Sequence, residues 1–311
     1  MKLLTAIFLL FNFCTYAQIK KDTSFSIQSS FVKEKKRYPA IEIPGVALPA
    51  GVLVQKDVVY GIVGGRELFA DVYYPAKKKR NGYPAVLLIF GGGWKSGNKN
   101  HWVSYAHRLA ENGFVAVAAE YRLSPEAQYP AAVYDLKAAV RWMRANAKKY
   151  SINKKEIAAL GASAGGQLAS LLGTTNGNNK FEGIGGNASF SSAVQAVINI
   201  DGVLAFKHPE SAEGTVAAEW LGGTSKEKPA VWAEASALTH VDKQSVPVCF
   251  INSSYPRFHA GRTDMIRQLD SLKIYSEVHE FPTTPHTFWL FHPWFEDVIK
   301  HTITFLNRQF N

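Results

Sequence analysis

Two early stretches alternate apolar and polar positions with a period of two. Val52 to Tyr60 and Arg66 to Tyr74 flank Gly64-Gly65, which predicts a β-hairpin with a tight turn. Pro75 to Gly82 is charged and reads as a loop. The pattern then changes: Ala85-Val-Leu-Leu-Ile-Phe90 is apolar throughout, as expected of a strand covered on both faces. Beyond it the spacing predicts helices near 102–112 and 131–149, a strand at 114–119 and an apolar strand at 157–162 that runs into a helix. Strands at 194–200, 247–251 and 275–281 and helices near 259–272 and 294–308 follow, with an irregular excursion from about 201 to 244. Strand–helix alternation of this kind implies a mostly parallel, doubly wound α/β sheet in one domain, residues 52–311.

The first 51 residues lie outside that pattern. Met1-Lys2, the apolar run Leu3 to Phe13 and Thr15-Tyr16-Ala17 have the three parts of a signal peptide cleaved after Ala17, which predicts export to the periplasm or medium. The run is too short to span a bilayer, so no transmembrane segment is expected. Residues 18–51 are polar, basic at Lys33-Glu-Lys-Lys-Arg37 and punctuated by Pro39, Pro44 and Pro49, and predict an extended arm over the domain. Cleavage removes Cys14 and leaves Cys249 without an intramolecular disulfide partner. The formal net charge of +10 favours acidic partners, but no basic block interleaved with aromatics points to nucleic acid.

Gly161-Ala162-Ser163-Ala164-Gly165 sits between the apolar strand ending at 162 and the helix that follows, the context of a nucleophile elbow presenting Ser163. Gly91-Gly92-Gly93 follows the strand ending at Phe90, and the N–H groups of Gly92, Gly93 and Ala164 are candidate oxyanion donors. Of nine histidines, His286 lies just past the last predicted strand and keeps the Ser-before-His order of such sites; His259 is the runner-up or a substrate contact. An acid is expected after the strand ending at Ile251, yet Asn252-Ser-Ser-Tyr-Pro-Arg-Phe-His259 holds no carboxylate. Asp201, at the end of the preceding strand, is taken first, with Glu280, Asp264, another acid or a dyad without one as alternatives.

Four ordered motifs carry a resemblance: Phe90-Gly-Gly-Gly-Trp94, Glu120-Tyr121-Arg122-Leu123-Ser-Pro125, Tyr129-Pro130-Ala-Ala with Asp135, and Gly161-Ala-Ser-Ala-Gly-Gly166. Over residues 55–310 the chain resembles the hormone-sensitive-lipase and bacterial feruloyl-esterase-like branch of the α/β hydrolases. The resemblance implies an α/β-hydrolase fold with Ser163 as nucleophile, His286 as base, and Gly92, Gly93 and Ala164 as oxyanion donors. Phe90 replaces the family's usual His, and the usual acid after the seventh strand is missing. The segment Asn252 to Arg262 is similar to exported carbohydrate esterases, including pectin esterases.

These features together predict an exported serine esterase that removes acetyl or methyl groups from a plant or algal polysaccharide, without metal or cofactor. Arg257 is positioned to pair with a sugar carboxylate, and Arg262, inside a predicted helix, is assigned to a structural ion pair. Trp94, Trp220, Trp289 and Trp294 are candidate sugar platforms, with core packing expected for at least half of them. Rival readings are a serine peptidase of the prolyl-oligopeptidase type, which lacks room here for a propeller domain, and a non-catalytic sugar-binding relative.

Overall fold

The structure, a computed structural model, describes residues 24–310 together with Asp22. The expected signal peptide lies outside the described residues. The arm contributes helix α1 (Ile27–Glu34) and leads into β1 (Val52–Val63) and β2 (Arg66–Pro75). β3 (Tyr83–Ile89), α2 (Val103–Glu111), β4 (Val115–Ala119), α3 (Ala131–Ala145) and α4 (Ala147–Tyr150) follow. The centre is β5 (Ile152–Ala162), α5 (Ala164–Thr174) and β6 (Ala196–Ile200), followed by α6 (Gly214–Leu221) and α7 (Pro229–Glu234). β7 (Val248–Ser253), α8 (Arg262–Ser271), β8 (Ser276–Phe281) and α9 (Phe295–Phe310) complete the chain.

The strands form one sheet in the order β1-β2-β4-β3-β5-β6-β7-β8. β1 pairs antiparallel with β2 and β2 antiparallel with β4, and every later pairing is parallel. Gly64 and Gly65 turn the hairpin at φ of 56° and 83°, the positive pair that a two-residue turn of matching twist requires. The all-apolar β3 and β4 have buried side chains along almost their whole length because helices cover both faces. α5 is buried at every position, which an amphipathic surface helix is not, and this marks it as the helix packed across the middle of the sheet. In α9 the buried Phe295, Val298, Ile299, Thr302, Phe305 and Leu306 recur at helical spacing and close the far end. Burying each large aliphatic side chain stabilises by about 1.5–3 kcal/mol.

Five expectations need correction. The arm is not extended throughout: Ser26 and Ser29 form a reciprocal capping box that starts α1, and Phe31 and Tyr38 then pack on Phe291 and Trp294. The helix predicted over 131–149 breaks at Asn146, and Ser151 turns the chain at φ 57° into a β5 longer than predicted. The excursion between β6 and β7 carries α6 and α7, and the helix expected from 259 begins at Arg262, after a short 3-10 turn at Pro256–His259. Among the described residues no helix is long and apolar enough to cross a membrane. Two of the motifs serve the fold: the guanidinium of Arg122 clasps the buried Asp135 carboxylate, with Nη2–Oδ1 at 2.7 Å and Nε–Oδ2 at 2.9 Å.

Candidate active site

Ser163 stands between β5 and α5 at φ 55° and ψ −123°, a conformation costly for a residue with a side chain. The turn exists because glycines let backbones touch. A Cβ on Gly165 would lie 2.0 Å from the Ile89 carbonyl oxygen, and one on Gly161 2.0 Å from that of Gly165. The Ser163 N–H donates to Ile200 O at 2.8 Å, so the elbow is pinned to the end of β6. The Asp201 N–H in turn donates to Ile251 O at 3.0 Å, which ties the residue just after β6 to β7. Three successive parallel strands thereby bring Ser163, Asp201 and Ser253 to one carboxyl edge, where a doubly wound sheet holds its ligands.

His286 reaches the same edge from the loop after β8. Its Nε2 lies 2.9 Å from Ser163 Oγ and its Nδ1 2.9 Å from Asp201 Oδ2. The Asp201 carboxylate accepts a hydrogen bond from Nδ1–H, which leaves Nε2 unprotonated as the acceptor facing the hydroxyl. Asp201 is wholly buried, and its charge is met by donors: the Ser253 N–H at 2.8 Å and the Ser253 hydroxyl at 2.5 Å. The two other carboxylates weighed from sequence lie elsewhere. Glu280 is exposed and pairs with Arg262 at 2.9 Å, whose Nη1 also donates to Asn252 Oδ1 at 3.0 Å. Asp264 meets His208 at 3.0 Å and Arg267 at 2.8 Å.

The glycine loop lies directly on the elbow, since a Cβ on Gly91 would come within 2.6 Å of Ala162 O and 3.0 Å of Ser163 Cβ. The Gly92 and Gly93 N–H groups bond to nothing among the described residues. Ala164 is the first residue of α5, where the helix leaves its N–H free and its dipole favours negative charge. A hydroxyl poised on a carboxylate-backed imidazole, beside free backbone donors, is an arrangement able to attack a carbonyl and hold the resulting oxyanion. Phe90, in the place of the usual His, stacks on Tyr121 at 4.4 Å, and the Tyr121 hydroxyl donates to Phe90 O at 2.8 Å.

A family model for BD-FAE matches residues 70–256, more than half of the chain. The chain belongs to the BD-FAE family. The match takes in Ser163, Asp201 and the glycine loop and stops before His286. Mycobacterium tuberculosis probable carboxylic ester hydrolase LipM is 30% identical over 248 residues, 75% of this chain and 56% of that one. The chain spans about half the length of the first curated relatives it matches. A truncated form of a carbohydrate esterase from gut microbiota superposes with a TM-score of 0.70 at 25% identity, covering 86% of this chain and 99% of its own. A thermophilic esterase of Thermogutta terrifontis, solved with propionate bound, gives a TM-score of 0.68 at 24% identity, covering 88% and 97%, a likeness of fold. The α/β-hydrolase fold and the branch implied by the four motifs are those of this chain.

The surroundings of the BD-FAE elbow differ from the sequence expectation for the tryptophans. Trp94 is 2% exposed, stacks on the equally buried Trp220 at 4.9 Å and donates from Nε1 to Gln167 Oε1, so it offers no face to a sugar. Trp289 is also buried, edge-on to His286 at 5.2 Å, and Trp294 packs on Tyr38. His259 is buried, and burial with the Arg262 charge lowers its pKa and favours a neutral ring. Arg257 is exposed, has no ion pair among the described residues and lies 4.3 Å over the Phe258 ring. Phe258 itself stacks on His286 with centroids 3.3 Å apart and planes at 10°. Both cannot share one face of the phenyl ring, so Phe258 is sandwiched between the guanidinium and the imidazole.

Sequence reasoning missed Phe258, Ser253 and Glu213. Ser253 had a signal, because it occupies the strand end from which an acid was expected. One group of side chains, Cys249, Glu277 and His279, brings metal-ligating atoms within 4.8 Å of one another among the described residues. It lies towards the opposite end of β7, and Glu277 is already engaged by the Tyr275 hydroxyl at 2.6 Å and by Arg308 at 2.5 Å. Burial raises the Cys249 thiol well above its ordinary pKa and keeps it protonated.

Proposed function

We propose that this chain is an exported serine esterase that removes acetyl or methyl ester groups from an acidic plant or algal polysaccharide of the pectin type. The observation that carries the reading is the continuous relay from Ser163 Oγ through His286 to the buried Asp201, with 2.9 Å at each step. Ser163 Oγ attacks the ester carbonyl while His286 Nε2 takes its proton, and Asp201 holds the imidazolium that forms. The oxyanion is met by the N–H groups of Gly92, Gly93 and Ala164, each able to contribute about 3 kcal/mol or more in the transition state. His286 then returns the proton to the leaving alcohol. Water, deprotonated by the same nitrogen, cleaves the acyl-enzyme and releases the acid.

Support for a sugar ester comes from the carbohydrate esterase among the solved relatives and from the exposed guanidinium of Arg257, which has no ion pair among the described residues and lies across Phe258 from His286. Export rests on the signal-like residues 1–17. The test is to incubate the protein with acetylated and methylated polysaccharides and measure acetate and methanol. Release of neither, with sugar binding retained, would favour the non-catalytic reading. If Arg257 pairs with a uronate, Arg257→Ala lowers kcat/KM on an acidic polymer about tenfold more than on a small neutral aryl ester. Equal losses on both would reduce Arg257 to a support of the loop.

A further inference from the structure

The segment from His208 to Glu213, which leads into α6, bridges the two sides of the site. At one end Glu210 Oε2 accepts the Gly261 N–H at 3.3 Å and His208 meets Asp264 at 3.0 Å, so the segment lies against the loop that carries Arg257. At the other end a Cβ on Gly93 would lie 2.9 Å from Val216 Cγ1, which puts the first turn of α6 against the glycine loop. Two buried polar atoms of this segment, Ser211 Oγ and Glu213 Oε1, have no hydrogen-bond partner among the described residues. Glu213 is the N-cap of α6, yet its side chain makes no capping bond. Burial raises the pKa of its carboxyl, opposed by the positive charge of Arg257 and, when it is protonated, of His286. A buried carboxylate oxygen left unpaired is destabilising, so a ligand group that donates a hydrogen bond is favoured there.

We propose that Glu213 is a specificity-determining residue that accepts a hydrogen bond from a hydroxyl of the sugar ring bearing the ester, an inference that rests on the sugar-ester reading above. The chemistry narrows the ligand group. A cation at Glu213 is opposed by Arg257 and by the imidazolium formed during turnover, and an anion is repelled by Glu213 itself. A neutral hydroxyl satisfies the carboxylate without changing the charge of the site, whereas an ester lacking hydroxyls leaves it unpaired.

The experiment compares wild type, Glu213→Ala and Glu213→Gln on three substrates: 4-nitrophenyl acetate, a monoacetylated methyl galactoside and the methyl ester of methyl galactosiduronate. The sugar ester that wild type cleaves faster serves as the sugar probe. Glu213→Ala is expected to lower kcat/KM on that probe about 10- to 100-fold more than on the aryl ester, as loss of a hydrogen bond to a charged group does. Glu213→Gln, which keeps an acceptor and the shape of the site, is expected to fall between Ala and wild type. Equal losses on sugar and aryl esters, or no loss on the sugar probe, overturn the inference alone. Wild type that cleaves the aryl ester and neither sugar ester overturns the sugar-ester reading, and this inference with it.

Discussion

The two sides of the site are built by different means. On the elbow side β3, β5 and α5 approach so closely that main chain meets main chain: added Cβ atoms at Gly91, Gly161 and Gly165 would stand 2.6, 2.0 and 2.0 Å from carbonyl oxygens. On the acid side, at the ends of β6 and β7, position is set by side-chain hydrogen bonds. Asp201 is held by Ser253 and holds His286, which Phe258 covers. A backbone-built site tolerates one residue type at each contact. A site built from side chains can take its carboxylate from a neighbouring strand, provided that the vacated strand end supplies donors, and Ser253 does so.

The sharpest way to break the comparison is to remove one chemical group from each side. Ser163→Ala is expected to lower turnover of 4-nitrophenyl acetate by about 10⁴-fold or more while leaving the melting temperature nearly unchanged. Near-wild-type turnover would remove the elbow from the chemistry. Asp201→Asn is expected to cost up to about 10⁴-fold, because the amide can hold the imidazole in the wrong tautomer. Glu280→Gln and Asp264→Asn should stay within about threefold, as surface substitutions away from a site do. A large loss at either, with Asp201→Asn active, would put the working carboxylate elsewhere.

That contrast also explains what could be read from the chain alone. The strand–helix alternation and the glycine motifs were legible because apolar period and the need for glycine are local properties of a sequence. The acid was harder, since Asp201, Glu280 and Asp264 are equivalent as letters. Only the parallel register that pairs Ile200 with Ile251 shows which carboxylate comes level with His286. Phe258, Ser253 and Glu213 were not singled out because their roles depend on partners 28 to 73 residues away in the chain. Trp94 misled for the same reason: the stacking partner that buries it, Trp220, lies on α6, beyond three intervening strands. The α1 helix was hidden by a polar composition and is started by a serine capping box rather than by an apolar stripe.

The elbow side has a titratable weak point. His101 is buried with its Nε2 unpaired among the described residues, edge-on to Phe25 and Phe90, and a Cβ on Gly97, four residues past the glycine loop, would lie 3.1 Å from its ring. Burial pushes its pKa down to about 4 from the ordinary 6.5. Between those values the unfolded chain binds the proton and the folded one does not, so stability falls as pH is lowered from about 6.5 to about 4. The loss from this one group amounts to roughly 3–4 kcal/mol, at about 1.4 kcal/mol per pKa unit. Urea unfolding at pH 7 and pH 4.5 checks it: His101→Phe should lose less stability than wild type over that interval. Parallel losses would place the acid sensitivity on other groups.

On the acid side the corresponding test is Ser253→Ala, which leaves every member of the relay in place and removes the hydroxyl that donates to Asp201 Oδ2, the same oxygen that faces His286. The Ser253 N–H still donates to Oδ1, so the carboxylate keeps one anchor while losing the bond that aims it. A hydrogen bond to a buried charge contributes about 1.5–3 kcal/mol, which predicts a drop in kcat of about 10- to 100-fold with KM for the aryl ester nearly constant. Ser253→Thr restores the hydroxyl and should recover most of the rate. That rescue separates aim from bulk: a cavity left by Ala would lower stability, yet it would give Thr no reason to restore kcat. If kcat is unchanged in Ser253→Ala, main-chain donation alone positions Asp201. The acid side would then be built from backbone, like the elbow side, and the contrast between the two would disappear.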